Sequence, residues 1–225
     1  MKPMFQLDNP AWHSLNEVHQ PYALGNEQFK RYAPDVAPFS GIDGDTGIPD
    51  LLSRYISVGE SLYIIGARPP LPPDILIEKE LICLQMVCPD MIPPEAPEPI
   101  TFLTDEHNSA LTELINLVQP GYFREKTKML GDYFGIFKDN KLVAVTGERM
   151  RMNDFTEISA VVTHPDFTGR GYARQLVAHA VNKNLSDNTI PYLHVAADNL
   201  PAIRLYEKLG FETRRKMSFW KIIRR

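Results

Sequence analysis

The sequence predicts an α+β protein built on a mixed α/β sheet, and three observations carry that reading. In residues 99–225 the apolar periodicity switches between the 3.6-residue repeat of helices and the two-residue repeat of strands. The resulting order is helix, helix, three strands, helix, strand, helix, strand. Between the third strand and the helix after it stands HPDFTGRGYARQLV, residues 164–177, with Gly169 and Gly171 where the chain leaves a strand and opens a helix.

The elements justify themselves in turn. Thr104 is placed to cap a helix whose first turn holds Asp105 and Glu106, where the helix dipole favours negative charge. Leu111, Leu114, Ile115 and Val118 follow as an i, i+3, i+4, i+7 stripe, and Pro120-Gly121 ends it. YFREKTKML (122–130) reads as a second short helix. YFGIF (133–137) and KLVAVTGERM (141–150) form a hairpin around Asp139-Asn140. A turn at Asn153-Asp154 leads into the strand FTEISAVVT (155–163). The helix after the glycines runs to about Asn184, with Ala173, Leu176, Val177, Ala180 and Val181 on one face. PYLHVAA (191–197) is a strand, PAIRLYEKL (201–209) a helix begun by Pro201 and stopped by Gly210, and FETRRKMSFWKII (211–223) a closing strand.

The first half carries weaker signals. WHSLNEVHQ (12–20) and PDLLSRYI (49–56) read as short helices, and SLYIIGA (61–67) and KELICLQMV (79–87) as strands flanking a proline run. DGDTG at 43–47 lacks the closing acidic residue of a calcium loop and reads as a turn. Residues 1–98 hold 6 Lys+Arg against 14 Asp+Glu, whereas residues 99–225 hold 18 against 14. Fifteen of the 19 prolines fall in residues 1–99, and IPPEAPEP (92–99) reads as a semi-rigid linker. The boundary is therefore set between an N-terminal α/β region, 1–98, and a second domain, 99–225.

Composition narrows the function. A net charge of −4 speaks against a nucleic-acid partner, and no apolar run approaches a membrane span. The opening MKPMFQLDNPAWHS lacks a signal-peptide pattern, and Cys83 and Cys88, without ligand partners nearby, read as buried thiols in a cytoplasmic protein. No metal site is expected. The basic second half suits an anionic ligand.

Backbone N–H groups over 169–174 can converge on an anion, and the glycines let it come close because no Cβ intervenes. TGRGYA fits neither the P-loop nor the dinucleotide-binding spacing. HPDFTGRGYARQLV, followed by DNLPAIRLYEKLGF (198–211), resembles the GNAT superfamily of acyl-CoA-dependent N-acyltransferases, particularly its FR47-like and glycine-N-acyltransferase-like members. The resemblance covers roughly residues 99–225 and implies the GNAT fold. It lays the family's pyrophosphate motif on Thr168, Gly169, Arg170, Gly171, Tyr172 and Ala173, with Thr168 where Arg or Gln is usual. Arg174 is in reach of the same phosphates.

Further roles come from the resemblance. Glu157, which alternation places on one strand face with Ser159 and Val161, would be the general base. Tyr206 would be the acid that protonates the leaving thiolate. The Val161 N–H would polarise the thioester carbonyl, and Val161, Val162 and Thr163 would run beside the pantetheine arm, which requires their strand to splay from PYLHVAA. Asn199 would lie near the pantetheine. The implied reaction is direct transfer of an acetyl group from acetyl-CoA to a primary amine of a small molecule, amino acid or peptide. The alternatives are a non-catalytic coenzyme A-binding module and transfer of a longer acyl group to an amino acid. FR47-like relatives also suggest that the first half is a degenerate copy of the same fold, its acidic excess suiting a cationic acceptor. A homodimer is left open.

Overall fold

The computed structural model describes residues 4–44, 46–93 and 97–225. The first half supplies α1 (Pro10–Asn16), β1 (Ala23–Gly25), β2 (Phe29–Tyr32), β3 (Phe39–Ile42), α2 (Ile48–Tyr55), β4 (Ser61–Ile65) and β5 (Ile75–Val87). The second supplies β6 (Thr101–Phe102), α3 (Asn108–Val118), β7 (Tyr133–Lys138), β8 (Lys141–Arg151), β9 (Phe155–Thr163), α4 (Tyr172–Ser186), β10 (Ile190–Ala196), α5 (Leu200–Lys208) and β11 (Glu212–Arg224). The expected succession in the second half is present apart from YFREKTKML, where only a 3-10 turn forms at Thr127–Leu130. Its backbone is diverted: the Thr127 hydroxyl donates to Val36 O at 2.6 Å and accepts the Arg124 N–H, and the Lys126 N–H goes to Asp35 O.

Among the described residues all strands join one 11-stranded sheet in the order β1-β2-β3-β4-β11-β5-β10-β9-β8-β7-β6. The expected division at 98/99 is no division of this sheet, because β5 lies between β10 and β11, antiparallel to both. Across the middle the order is palindromic. In the first half two antiparallel pairings, β1/β2 and β2/β3, lead to a parallel pairing, β3/β4. In the second, β7/β8 and β8/β9 lead to parallel β9/β10. Each half then sends its last strand across to the other: β11 pairs with β4, and β5 with β10.

Alternation along the strands assigns the helices to faces. Tyr133 packs with α3, whereas Phe134 and Ile136 pack with α4, so those two helices cover opposite faces. Tyr63 and Ile65 join the cluster around α1, and Leu62 and Ile64 the cluster around α2. Thus α1 and α3 share one face, and α2, α4 and α5 the other. The described ends of the proline-rich segment are fastened along α4. Asn182 pairs with both the N–H and the carbonyl of Ile92 at 2.8 and 2.7 Å, and Gln175 does the same for Glu98. Residues 94–96 of that segment, and Asp45 of the expected 43–47 turn, lie outside the described residues.

Candidate active site

The glycine loop and the strands behind it make the site. Gly169 and Gly171 have φ of 76° and 80°, a left-handed backbone that L side chains resist, so the two glycines are needed for conformation. A Cβ at either would meet nothing within 4 Å, which leaves the N–H groups at the start of α4 facing open space. That space is a groove of about 280 Å³ lined by Thr163, Phe167, the stretch Thr168–Arg174 and Leu205. Its built features, an αL glycine pair, a helix N-terminus and nearby arginines, fit a pyrophosphate. A second cavity of about 150 Å³ adjoins it between Pro93, Pro97 and Arg174.

The side chains of the loop are occupied in different ways. The Thr168 hydroxyl donates to Pro165 O at 3.1 Å, closing its own turn, so at this position the loop offers main chain alone. Arg170 lies 4.8 Å over the Phe167 ring and donates to Asp166 O. Tyr172 is buried beneath the loop, Ala173 lines the groove, and Arg174 borders both cavities. Asn199 caps α5, its Oδ1 accepting the Ala202 N–H at 3.3 Å.

The strands part as the expected pantetheine path requires. The parallel pairing of β9 with β10 runs Ile190↔Phe155, Pro191↔Thr156, Tyr192↔Glu157 and goes no further. Beyond it the β9 edge is free. The His164 N–H donates to Val143 O at 2.8 Å, so by alternation Val162 also turns its N–H to β8, while Val161 and Thr163 present theirs to the gap. Val162 is therefore corrected: its main chain belongs to the β8/β9 ladder and its side chain to the α3 core.

A bulge overturns the expected shared face of Glu157 and Val161. Ala160 has φ of 50°, and the β8/β9 register slips between Val145↔Val162 and Gly147↔Ser159. The extra residue reverses the alternation, so Val161 joins Ile158 on the α4/α5 face while Ala160 and Val162 pack toward α3.

Glu157 is likewise not placed as a free base. It is fully buried, and its carboxylate accepts from Arg149 Nε and Nη2, both at 2.7 Å, and from His194 Nδ1 at 2.7 Å. Burial acts to raise its pKa, but the Arg149 charge and hydrogen bonds, with those of His194, outweigh burial and hold it at about 2. A carboxylate that binds protons so weakly is a poor acceptor for an ammonium proton. The network continues outward. Gln85 Oε1 accepts from Arg214 at 2.9 Å, which turns its amide NH₂ to Leu7 O at 2.7 Å and His194 Nε2 at 3.1 Å. Nε2 therefore accepts, and the His194 proton sits on Nδ1, facing Glu157.

Tyr206 lies under the α4/α5 face beside Phe211, and burial pushes its phenol up to about 12. No described residue hydrogen-bonds its hydroxyl. It therefore stays protonated at neutral pH and its proton is uncommitted.

Arg149 and His194 escaped the sequence reading. A signal for Arg149 was present: it stands four residues before Asn153 as Glu157 stands four after, and a hairpin turning there brings the two together. Among the described residues no cluster suits a metal ion, and no helix is long and apolar enough to cross a membrane.

Residues 133–220 match the family described as FR47-like protein. Among solved structures the chain is similar to a GNAT-family acetyltransferase of Novosphingobium aromaticivorans at 29% identity and TM-score 0.91, covering 97% of this chain and 98% of that one. A GCN5-related N-acetyltransferase of Kribbella flavida matches at 15% identity and TM-score 0.64, over 94% and 93%. A tandem GNAT protein from the clavulanic acid biosynthesis pathway shares the fold at 16% identity and TM-score 0.57, over 86% and 77%. No curated protein matches. The matched segment spans the splayed strands, the glycine loop and Tyr206, and together with the full-length likeness it supports a GNAT superfamily N-acetyltransferase, FR47-like in kind.

Proposed function

We propose that this protein transfers an acetyl group from acetyl-CoA to a primary amine of a small molecule, by direct attack within a ternary complex. The observation that carries the reading is the gap beyond Tyr192↔Glu157, which opens beside the groove lined by Thr168–Arg174. Acetyl-CoA supplies the thioester whose C–S bond is exchanged for a C–N bond.

The protein's own groups divide the work. Main-chain N–H groups at the start of α4 hold the pyrophosphate, with Arg170 and Arg174 adding charge. The Val161 N–H, turned to the gap, stabilises negative charge developing on the carbonyl oxygen. Tyr206 supplies the proton that the departing sulfur needs. Glu157 keeps Arg149 and His194 in place, and the proton lost by the amine passes to solvent water. The first half is a degenerate copy of the same fold whose role is to complete the sheet.

Calorimetric titration with acetyl-CoA and with dephospho-CoA, followed by an acetylation assay on a panel of primary amines, tests the reading. Micromolar acetyl-CoA affinity that is lost in Gly169→Val, together with amine-dependent release of free thiol, is expected. An absence of heat and of thermal stabilisation by acetyl-CoA would sink it.

A further inference from the structure

The groove for the acyl donor lies on the face covered by α4 and α5, so the second substrate must meet the thioester from the α1/α3 side of the gap. Arg149, on β8, stands there, bonded to Glu157, the last residue of β9 that pairs with β10. Its guanidinium spends the Nε–H and one Nη2–H on Glu157. A guanidinium has five N–H donors, and no described residue accepts from the two on Nη1 or from the second on Nη2. The side chain is nevertheless only 15% exposed, too enclosed for full hydration.

It is also unusually fixed. The guanidinium lies 4.4 Å over the Phe39 ring, and Glu157 clamps it by two bonds. Glu157 is itself pinned by His194, and His194 by Gln85. A stiff arginine with unused donors along one edge is suited to a planar two-oxygen anion. Its surroundings are flat and aromatic: Phe39 stacks against Tyr122, and Tyr122 against Tyr63 with centroids 5.6 Å apart and hydroxyls 3.1 Å apart. Tyr122 is exposed and Tyr63 partly so, so these rings can receive a side chain.

We infer that Arg149 is the specificity determinant for the acceptor, binding a carboxylate, and that the acceptor is an amino acid acetylated on its own amino group. This rests on the reaction proposed above and names its second substrate. Because Glu157 already neutralises the guanidinium charge, recognition is by directed hydrogen bonds and depends little on ionic strength. The acidic excess of the first half therefore does not choose the acceptor. Arg149 does, through its free edge.

The test compares free amino acids with the matching amino-acid amides as acceptors, with acetyl-CoA as donor. Wild-type protein is expected to favour the acids at least tenfold in kcat/KM, chiefly through KM. Arg149→Gln alone leaves Glu157 buried without its partner, so the decisive variant is Arg149→Gln combined with Glu157→Gln, in which the acid-to-amide ratio falls to about one. Equal use of acids and amides by the wild type, or a preference that survives in the double variant, overturns the inference while leaving acetyl transfer standing. Calorimetric titration of the coenzyme A-saturated protein with the same compounds gives the answer without turnover. There, amides binding as tightly as acids would remove the role of Arg149 even if the protein acetylated nothing.

Discussion

The molecule contains two strand–loop–helix junctions at equivalent places in its palindromic sheet, alike in backbone and different in side-chain chemistry. At β3–α2, Gly47 caps the helix with φ of 70°; at β9–α4, Gly171 does so with φ of 80°. In both, the parallel strand pair gives out early, after Ser40↔Ile64 in the first half and after Tyr192↔Glu157 in the second. What changes is charge and chemistry. The first junction carries Asp43 and Asp50, and the second Arg170 and Arg174. The residue at the fork is Ser40 in one half, whose hydroxyl closes on Tyr63 O at 3.1 Å, and Glu157 in the other, tied to Arg149 and His194. The two junctions share backbone geometry but not the charges that would make a helix N-terminus useful for a phosphate. Under the reading proposed above, the charges around such a junction, and not its shape alone, decide whether it holds a phosphate.

The sharpest way to break the comparison is at the two forks. Glu157→Gln leaves a mostly buried Arg149 charge without its counter-ion and is expected to lower stability by about 3–5 kcal/mol. Ser40→Ala should lower it by only about 1 kcal/mol. Denaturant melts of both variants measure the difference. The acid limb carries the same signature. Because the Glu157 pKa is depressed from 4.5 to about 2, its stabilisation is complete above pH 4.5 and drains away as pH falls toward 2. A wild-type melt series should steepen in that window relative to Glu157→Gln.

Next in size is Tyr206→Phe, which has no counterpart in the first half because no helix follows β4 there. The chemical rate should fall about 100-fold with little change in acetyl-CoA affinity. Single-turnover kinetics would detect it, and an unchanged rate would remove Tyr206 as the acid. Valine in place of either capping glycine introduces roughly 1–3 kcal/mol of backbone strain. Only Gly171→Val should also weaken acetyl-CoA, whereas Gly47→Val should lower the melting temperature alone; equal effects on affinity would make the junctions equivalent after all. The smallest effect is expected from Thr168→Arg, which restores a side-chain contact worth about 0.3–1 kcal/mol at a helix N-terminus. Calorimetry at low and high salt should show tighter, more salt-dependent binding.

How much of this was legible in the sequence varied with the physics of each part. The loop could be read because left-handed backbone selects glycine, and α4 because Leu176, Val177, Ala180 and Val181 recur on one face. The β7–β8 hairpin could be read from Asp139-Asn140, both with positive φ. Strands β1 to β3, three or four residues each, were too short to show a period. The bulge at Ala160 leaves no compositional trace, since alanine is a poor residue for φ of 50°, and it reversed the face assigned to Val161. The state of Glu157 depended on Arg149, His194 and Gln85, which come from three different strands. Strand exchange was invisible for a related reason: apolar alternation says that a strand is buried, not which neighbour buries it.

That exchange has a consequence for how the chain is made. When residues 1–98 have been synthesised, β4 and β5 each lack the partner β11, which lies more than 120 residues downstream. The early chain therefore carries three unpaired strand edges, one on β4 and both of β5, whose other partner β10 is also still to come, at the place where the finished sheet has its centre. Closing it requires contacts of very long sequence separation, which form slowly and leave those edges exposed for longer. A break between 93 and 97 would give fragments that rescue one another when mixed and aggregate when kept apart.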